Sequence, residues 1–416
     1  MASTLTTVFV ALLVITTLTR VWLGNRHVRH VQAHRERVPD AFAGSISLDA
    51  HRKAADYTTA KTRLNVNVSI VQAVLLALLT IGGGLMLIDD AWHTLLPGNE
   101  IIRGALVILS AFVISAVVEL PFDYYRTFVI DQRFGFNKMT RAMFFSDLVK
   151  HSLVGLVLGT PILFAALYLM REAGDYWWLY LWVVWSAFNL LMLAIYPTFI
   201  APLFNKFSPL SDEPLKQRIE TLLNKCGFKS HGLFVMDGSS RSSHGNAYFT
   251  GFGSSKRVVF FDTLLDRLDA DEIEAVLAHE LGHFRHHHVI KRIVLMFAIS
   301  FAGLAVLGWL KQQGWFYEGL GVSEASDYMA LLLFLLVSPV FLFLLRPLLA
   351  SYSRKNEFEA DEYAARNANA RHLIEALVKL YRDNASTLTP DPLHSAFYDS
   401  HPPASMRISR LSRFTG

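Results

Sequence analysis

The chain has 416 residues, 52% of them hydrophobic and 18% charged, with a mean hydropathy of +0.33. That balance excludes an ordinary soluble globule and indicates a multi-span membrane protein. A net charge of +4, with no basic tract interleaved with aromatics, gives no nucleic-acid surface, and a single cysteine, Cys226, excludes an intrachain disulfide and a thiolate zinc cluster.

Seven hydrophobic stretches are long enough to span a bilayer: approximately Thr6–Leu23, Val68–Ile88, Gly104–Leu120, Leu153–Met170, Trp177–Tyr196, Ile293–Leu310 and Met329–Leu345. The first lacks a basic leader and a small-residue cleavage site, so it reads as a retained span. Arg26, Arg29, Arg35, Arg37, Arg52, Lys53, Lys61 and Arg63 crowd the loop after it, and Arg126, Arg133, Lys138 and Arg141 lie between the third and fourth spans. The even-numbered loops are short or acidic. Positive-inside bias then places the odd-numbered loops and the C-terminus in the cytosol, with the N-terminus on the far side. Pro121, Pro161, Pro197, Pro339 and Pro347 sit in or beside spans, compatible with a cavity or with ordinary bundle packing. Glu119 and Asp123 end the third span, where they either face such a cavity or mark the interface.

Two polar regions can fold outside the lipid. The first opens at Ser211-Asp212-Glu213-Pro214, a helix start, with a stop at Gly227. Cys226 lies on the apolar face of that helix and reads as packing. Gly232–Met236 reads as a strand, and Asn246–Thr250 with Arg257–Phe261 as a hairpin around Gly251–Lys256. Asp262 is expected to cap a short helix. The next helix is capped by Asp269 with Glu272 in a capping box and carries Ala278-His279-Glu280-Leu281-Gly282-His283. Four-residue spacing puts both imidazoles on one helical face, where they can bind one Zn²⁺, while Glu280 can stand beside a water as general base. The second polar region, Ser351 to Gly416, reads as helical with a proline-broken loop from about Ser386 to Pro403.

A catalytic zinc takes three protein ligands and leaves a position open. Glu357 and Asp361, four apart on a predicted helix, offer the third ligand and a carboxylate for the free nitrogen of a ligand histidine. Glu359 points elsewhere on helical geometry. The same segment also fits a solvated acidic face paired with Arg354 and Lys355. About ten residues separate His283 from Ile293, and about ten separate Pro347 from Glu357. At ~1.5 Å per helical residue the site lies within roughly 15 Å of the bilayer.

An ordered set of segments resembles the type I CaaX prenyl proteases over nearly the whole chain. They are Phe134-Gly135-Phe136-Asn137-Lys138, Ala201-Pro202-Leu203-Phe204-Asn205-Lys206-Phe207, Asn246-Ala247-Tyr248-Phe249, Phe261-Asp262-Thr263-Leu264-Leu265, His279–His283, Glu357–Asp361 and Ser400-His401-Pro402-Pro403. The resemblance implies His279, His283 and Glu357 as ligands of one Zn²⁺ per chain, with Glu280 as base. It implies that Asn246 and Ala247 lie on an edge strand that grips extended substrate, and that His401 and Arg407 stabilise the oxyanion. From the residues alone, His401 is a loop histidine pinned by Pro402 and Pro403. Arg285-His286-His287-His288 departs from the pattern and reads as a membrane-interface feature or as extra zinc affinity.

The expected architecture is all-α and multi-span: seven transmembrane helices with a mainly helical cytosolic zinc-protease domain containing a small β-hairpin. Its parts are a five-span membrane region (1–200), a catalytic region (201–288), a transmembrane hairpin (289–349) and a C-terminal catalytic region (350–416). The expected function is a zinc metalloendopeptidase acting at the lipid bilayer on membrane-associated or hydrophobic-tailed, CaaX-like polypeptides. The compact loops suggest a bacterial inner membrane. Alternatives are a quality-control protease for misfolded proteins, a transporter, or a scaffold with structural zinc. A transporter has no use for His-Glu-x-x-His, and a structural site needs no base.

Overall fold

Hydropathy dictates the long rods of this fold. In the computed structural model, which describes residues 1–228, 232–250 and 257–415, seven helices are long and apolar enough to cross a membrane. They run Ala2–Ala33, Leu48–Leu79, Glu100–Phe134, Arg141–Glu172, Gly174–Leu203, His288–Leu310 and Asp327–Asn367. Each contains or overlaps one expected span, and most outrun it. The second span differs in its end. The expected Val68–Ile88 breaks after Leu79, because Gly83 adopts φ 78° and a separate helix, Gly84–Leu95, begins.

Side-chain caps start four of the membrane helices: Ser47, Asn99, Thr140 and Ser326 each accept a first-turn N–H. Pro121 lies inside one helix, which then continues as a π-helical turn, Arg126–Asp131. A second π turn, Tyr196–Ile200, holds Pro197. Missing N–H groups and wide turns go together here. Beside Pro121, a cleft of about 500 Å³ opens between the second and third membrane helices, lined by Leu64, Phe122, Val129 and Ile130. Glu119 accepts from Gln72 Nε2 at 2.5 Å, and Asp123 pairs with Arg126 at 3.5 Å.

The polar regions fold as one unit. Its sheet holds β1 (Phe207–Pro209), β2 (Leu233–Met236), β3 (Ala247–Thr250) and β4 (Arg257–Phe261), in the order β1-β2-β4-β3. β3 and β4 form the expected antiparallel hairpin, with Ala247 opposite Phe260, and β2 runs parallel to β4. The hairpin's turn, Gly251–Lys256, lies outside the described residues. β3 is an edge. Helix α1 (Glu213–Lys225) starts at Asp212 as expected, and Cys226 packs partly buried against the core. Asp262 does not cap: Phe261 precedes the short helix α2 (Asp262–Leu265), and the Asp262 carboxylate accepts from the Ser239 and Thr263 N–H groups.

On β3 packs α3 (Ala270–Arg285), which leads into α4 (the sixth span, His288–Leu310) and lies against α5 (Arg346–Asn367, continuing the seventh span) and α6 (Ala370–Asp383), while α7 (Pro392–Tyr398) and α8 (Ala404–Leu411) pack on α5. Ile219, Leu222, Phe260, Leu264, Leu277, Leu281 and Leu377 fill the core. One expectation is corrected. The segment from Ser386 to Pro403 is not simply a loop, since α7 sits inside it. Asp391 caps α7 at its N-terminus and, fully buried, also accepts from Arg26 Nε at 3.0 and 2.9 Å. Arg354 Nη1 donates to the carbonyls of Ser395, Ala396 and Asp399 at the other end, at 3.2, 3.4 and 2.9 Å.

Candidate metal centre and active site

The site forms where α3 crosses α5. Asp269 and Glu272 make the expected capping box, and Lys379 bonds the buried Glu272 carboxylate at 2.6 Å. The crossing is close because Gly282 has no side chain. A Cβ there would stand 2.8 Å from the Ala360 Cα and 3.0 Å from its carbonyl oxygen, both backbone atoms that cannot step aside. The glycine inside the His-Glu-x-x-His stretch thus sets how near Glu357 comes to the two histidines. Sequence reasoning passed over it.

His279, His283 and Glu357 each offer one ligand atom, and these atoms lie within 4.8 Å of one another. His279 Nε2 is 3.5 Å from Glu357 Oε2, and His283 Nε2 is 3.4 Å from Oε1. Ligands at ~2.0–2.1 Å around a tetrahedral zinc stand roughly 3.3 Å apart, so the spacing fits. Glu357 Oε2 fits as well: it is buried with no well-formed hydrogen bond, a costly state that a cation relieves. Two nitrogens and a carboxylate are the donor set zinc takes in catalytic sites.

Behind the histidines lie further carboxylates. His279 Nδ1 is 2.9 Å from Asp361 Oδ1, which leaves Nε2 for the metal side. Arg407 grips Asp361 through Nε at 2.9 Å and Nη2 at 2.6 Å, and its Nη2 is 3.4 Å from His279 Nδ1. Arg407, which the resemblance places at the oxyanion, is buried, and two of its nitrogens donate to Asp361. Burial opposes charge on His279, but the carboxylates of Asp361 and Glu357 beside it outweigh that and lift its pKa to about 9. Burial and the neighbouring His279 push His283 down to about 4. Burial also raises the pKa of Glu280, as suits a group that takes a proton near neutrality.

His401 Nε2 stands 3.4 Å from Glu357 Oε1, with the side chain 61% exposed, so it borders the site and faces outward. The tethering of α7 by Arg26 and Arg354 places it there. Asn246 is exposed just before β3, its carbonyl accepting from the Phe261 N–H at 3.0 Å and its side chain from the Ala247 N–H at 2.9 Å. Ala247 opens the edge strand, which packs on α3. Arg354 and Lys355 do not surround a solvated acidic face, since Glu357 and Asp361 are buried.

A family model described as "CAAX prenyl protease N-terminal, five membrane helices" matches residues 27–206, and one described as "Peptidase family M48" matches residues 209–415. A CAAX prenyl protease 1 homolog of Arabidopsis thaliana is 38% identical, over 76% of this chain and 74% of its own length. The CAAX prenyl protease 1 of Saccharomyces cerevisiae is 36% identical, over 72% of this chain and 69% of its own. The crystal structure of S. mikatae Ste24p superposes with a TM-score of 0.90 at 28% identity, covering 98% of this chain and 99% of that one. A peptidase family across both halves leaves the transporter and scaffold readings without support.

Proposed function

The chain belongs to the CAAX prenyl protease 1 family of M48 metallopeptidases, a family of multi-pass membrane metalloendopeptidases, and from that premise we propose how its own residues cut a peptide. The observation that carries the reading is the convergence of His279, His283 and Glu357 one helical step from Glu280. These three hold one Zn²⁺ per chain. Zinc bound there supplies Lewis acidity to a peptide carbonyl and acidifies water. Glu280 accepts a proton from the attacking water and delivers it to the leaving amine. Asn246 and Ala247 present the backbone of an edge strand to an extended substrate, which adds to the sheet as a further strand. His401 donates to the oxyanion as the carbonyl becomes tetrahedral. Asp361 fixes the ring of His279, and Arg407 fixes Asp361 and adds positive charge behind the site.

The substrates we propose are CaaX-like polypeptides with a hydrophobic tail, cut at the membrane surface. The relatives' names support that class, and so does the tether. Only His286 and His287 separate α3 from the sixth span, and α5 continues the seventh. The arginine and lysine distribution supports a cytosolic site. We propose the four-part division as functional anatomy, with α5 crossing its last boundary. Zinc-loaded protein in liposomes should cleave a farnesylated CaaX peptide, and Glu280→Gln should abolish cleavage. Undiminished cleavage by that variant would remove Glu280 from the chemistry.

A further inference from the structure

The two ligand histidines are anchored differently behind the site, and the second anchor comes from the His286-His287-His288 run. His287 adopts φ 57°, the left-handed region, and so ends α3 in a reversal that turns His288 back beneath His283. His288 is 4% exposed. Its Nδ1 lies 3.0 Å from Nδ1 of His283, and its Nε2 lies 3.0 Å from Oε2 of Glu359. Lys355 approaches the other Glu359 oxygen at 3.9 Å, and His286 stacks on the His288 ring at 5.5 Å.

These contacts admit one coherent hydrogen-bond order when His283 uses Nε2 toward the metal. The Nδ1–H of His283 donates to Nδ1 of His288, and the Nε2–H of His288 then donates to the Glu359 carboxylate. A carboxylate cannot donate, so Glu359 fixes the direction of the whole chain. Glu359, pointing away from the metal as its helical position requires, serves it through an intervening ring. His288 is not a fourth ligand: its Nδ1 faces the back of His283, and among the described residues the only metal-holding group is His279, His283 and Glu357.

We infer that His288 and Glu359 are positioning residues for His283, a relay through which a carboxylate two positions from the metal ligand Glu357 orients the second histidine as Asp361 orients the first. The inference rests on the proposed zinc reading. On the His279 side the carboxylate touches the ring directly and is braced by Arg407. On the His283 side, where the ring is more exposed, an imidazole spans the extra distance. Each ligand histidine thereby has a fixed tautomer and a fixed ring plane.

The test uses full-length, zinc-loaded protein and measures zinc release to a chelator, beside the visible spectrum of the cobalt-substituted protein. His288→Ala and Glu359→Gln are compared with Arg292→Ala as an exposed neighbour outside the relay. His288→Asn is the conservative variant, whose side-chain oxygen can still accept from His283. Outer groups of this kind are worth ~10–100-fold in metal affinity. We expect His288→Ala to release zinc about 10–100-fold faster, with a shifted cobalt spectrum. Glu359→Gln should lie between it and the parent, and His288→Asn should restore most of the loss. Release from His288→Ala and Glu359→Gln at the parent rate, with unchanged cobalt spectra, overturns the relay. If His288→Ala does not fold, the Glu359→Gln and His288→Asn measurements decide alone. Parent protein without zinc, or Glu357→Ala with full zinc, overturns the zinc reading itself and the relay with it.

Discussion

The sixth and seventh spans and the two helices of the metal centre form one nearly continuous pair of rods, yet the two ends of that pair cohere by different chemistry. In the membrane end, Ile299, Val306 and Leu335 stay exposed for lipid to cover, and a Cβ on Gly303 would meet only the ring edge of Phe334, at 3.6 Å. At the catalytic end, His279, Glu357, Asp361 and Arg407 are buried together, and Gly282 lies against backbone. Lipid forgives small changes of packing, since tails re-pack as readily as side chains. Buried charges do not forgive, because each leaves its partner unpaired. The membrane end therefore fixes where the site is, and the catalytic end fixes its chemistry.

That contrast can be broken by substitution, and beyond Glu280 and the metal-holding residues the largest effect is expected at the rim of the site. His401→Ala should keep zinc and fold while losing about 10²–10³ in turnover, the usual worth of an oxyanion donor. Steady-state assay with metal analysis checks it, and near-normal turnover returns His401 to a loop role. Next comes the membrane itself. Between two peptides of identical sequence in liposomes, the one with a hydrophobic anchor should be cleaved on the order of 10²-fold better, through effective concentration at the surface. Equal rates would mean that the tether does not select substrate. Asp361→Asn should weaken zinc about 10–100-fold by competitive chelation, because His279 loses the carboxylate that fixes its ring and Arg407 loses its partner.

Smaller effects sharpen the difference between the two ends. Gly282→Ala should destabilise the catalytic unit by about 1–3 kcal/mol, since overpacking against backbone outweighs the helix-propensity gain. Gly303→Ala, in the same pair of rods, should be neutral or slightly stabilising. Paired thermal unfolding curves in detergent test this, and equal shifts would erase the distinction.

Much of this organisation is legible in the sequence because its signals are local. Hydropathy marks all seven spans, and the capping box and four-residue spacing mark α3 and two of the candidate ligands. Glu357 and Asp361 are legible as a pair on one face, although choosing between a site and a solvated face needed the fold. What the sequence hides depends on distant partners. Helix α7 begins with a proline and is seven residues long. Its ends are held by Arg26, from the first helix, and Arg354, from α5. The role of His288 depends on the left-handed conformation of His287, which no periodicity announces. The resemblance names Arg407, but its pairing with Asp361 is hidden likewise, because only the fold sets the two together. The break after Leu79 had a local signal, three successive glycines, outweighed by the apolar run on either side.

The central claim is that three residues from two membrane-tethered helices hold the metal while Glu280 does not. Metal analysis of purified parent protein, Glu280→Gln and Glu357→Ala tests it most directly. We predict about one zinc per chain in the parent and in Glu280→Gln, and almost none in Glu357→Ala. Full zinc in Glu357→Ala, or its loss in Glu280→Gln, would contradict the account.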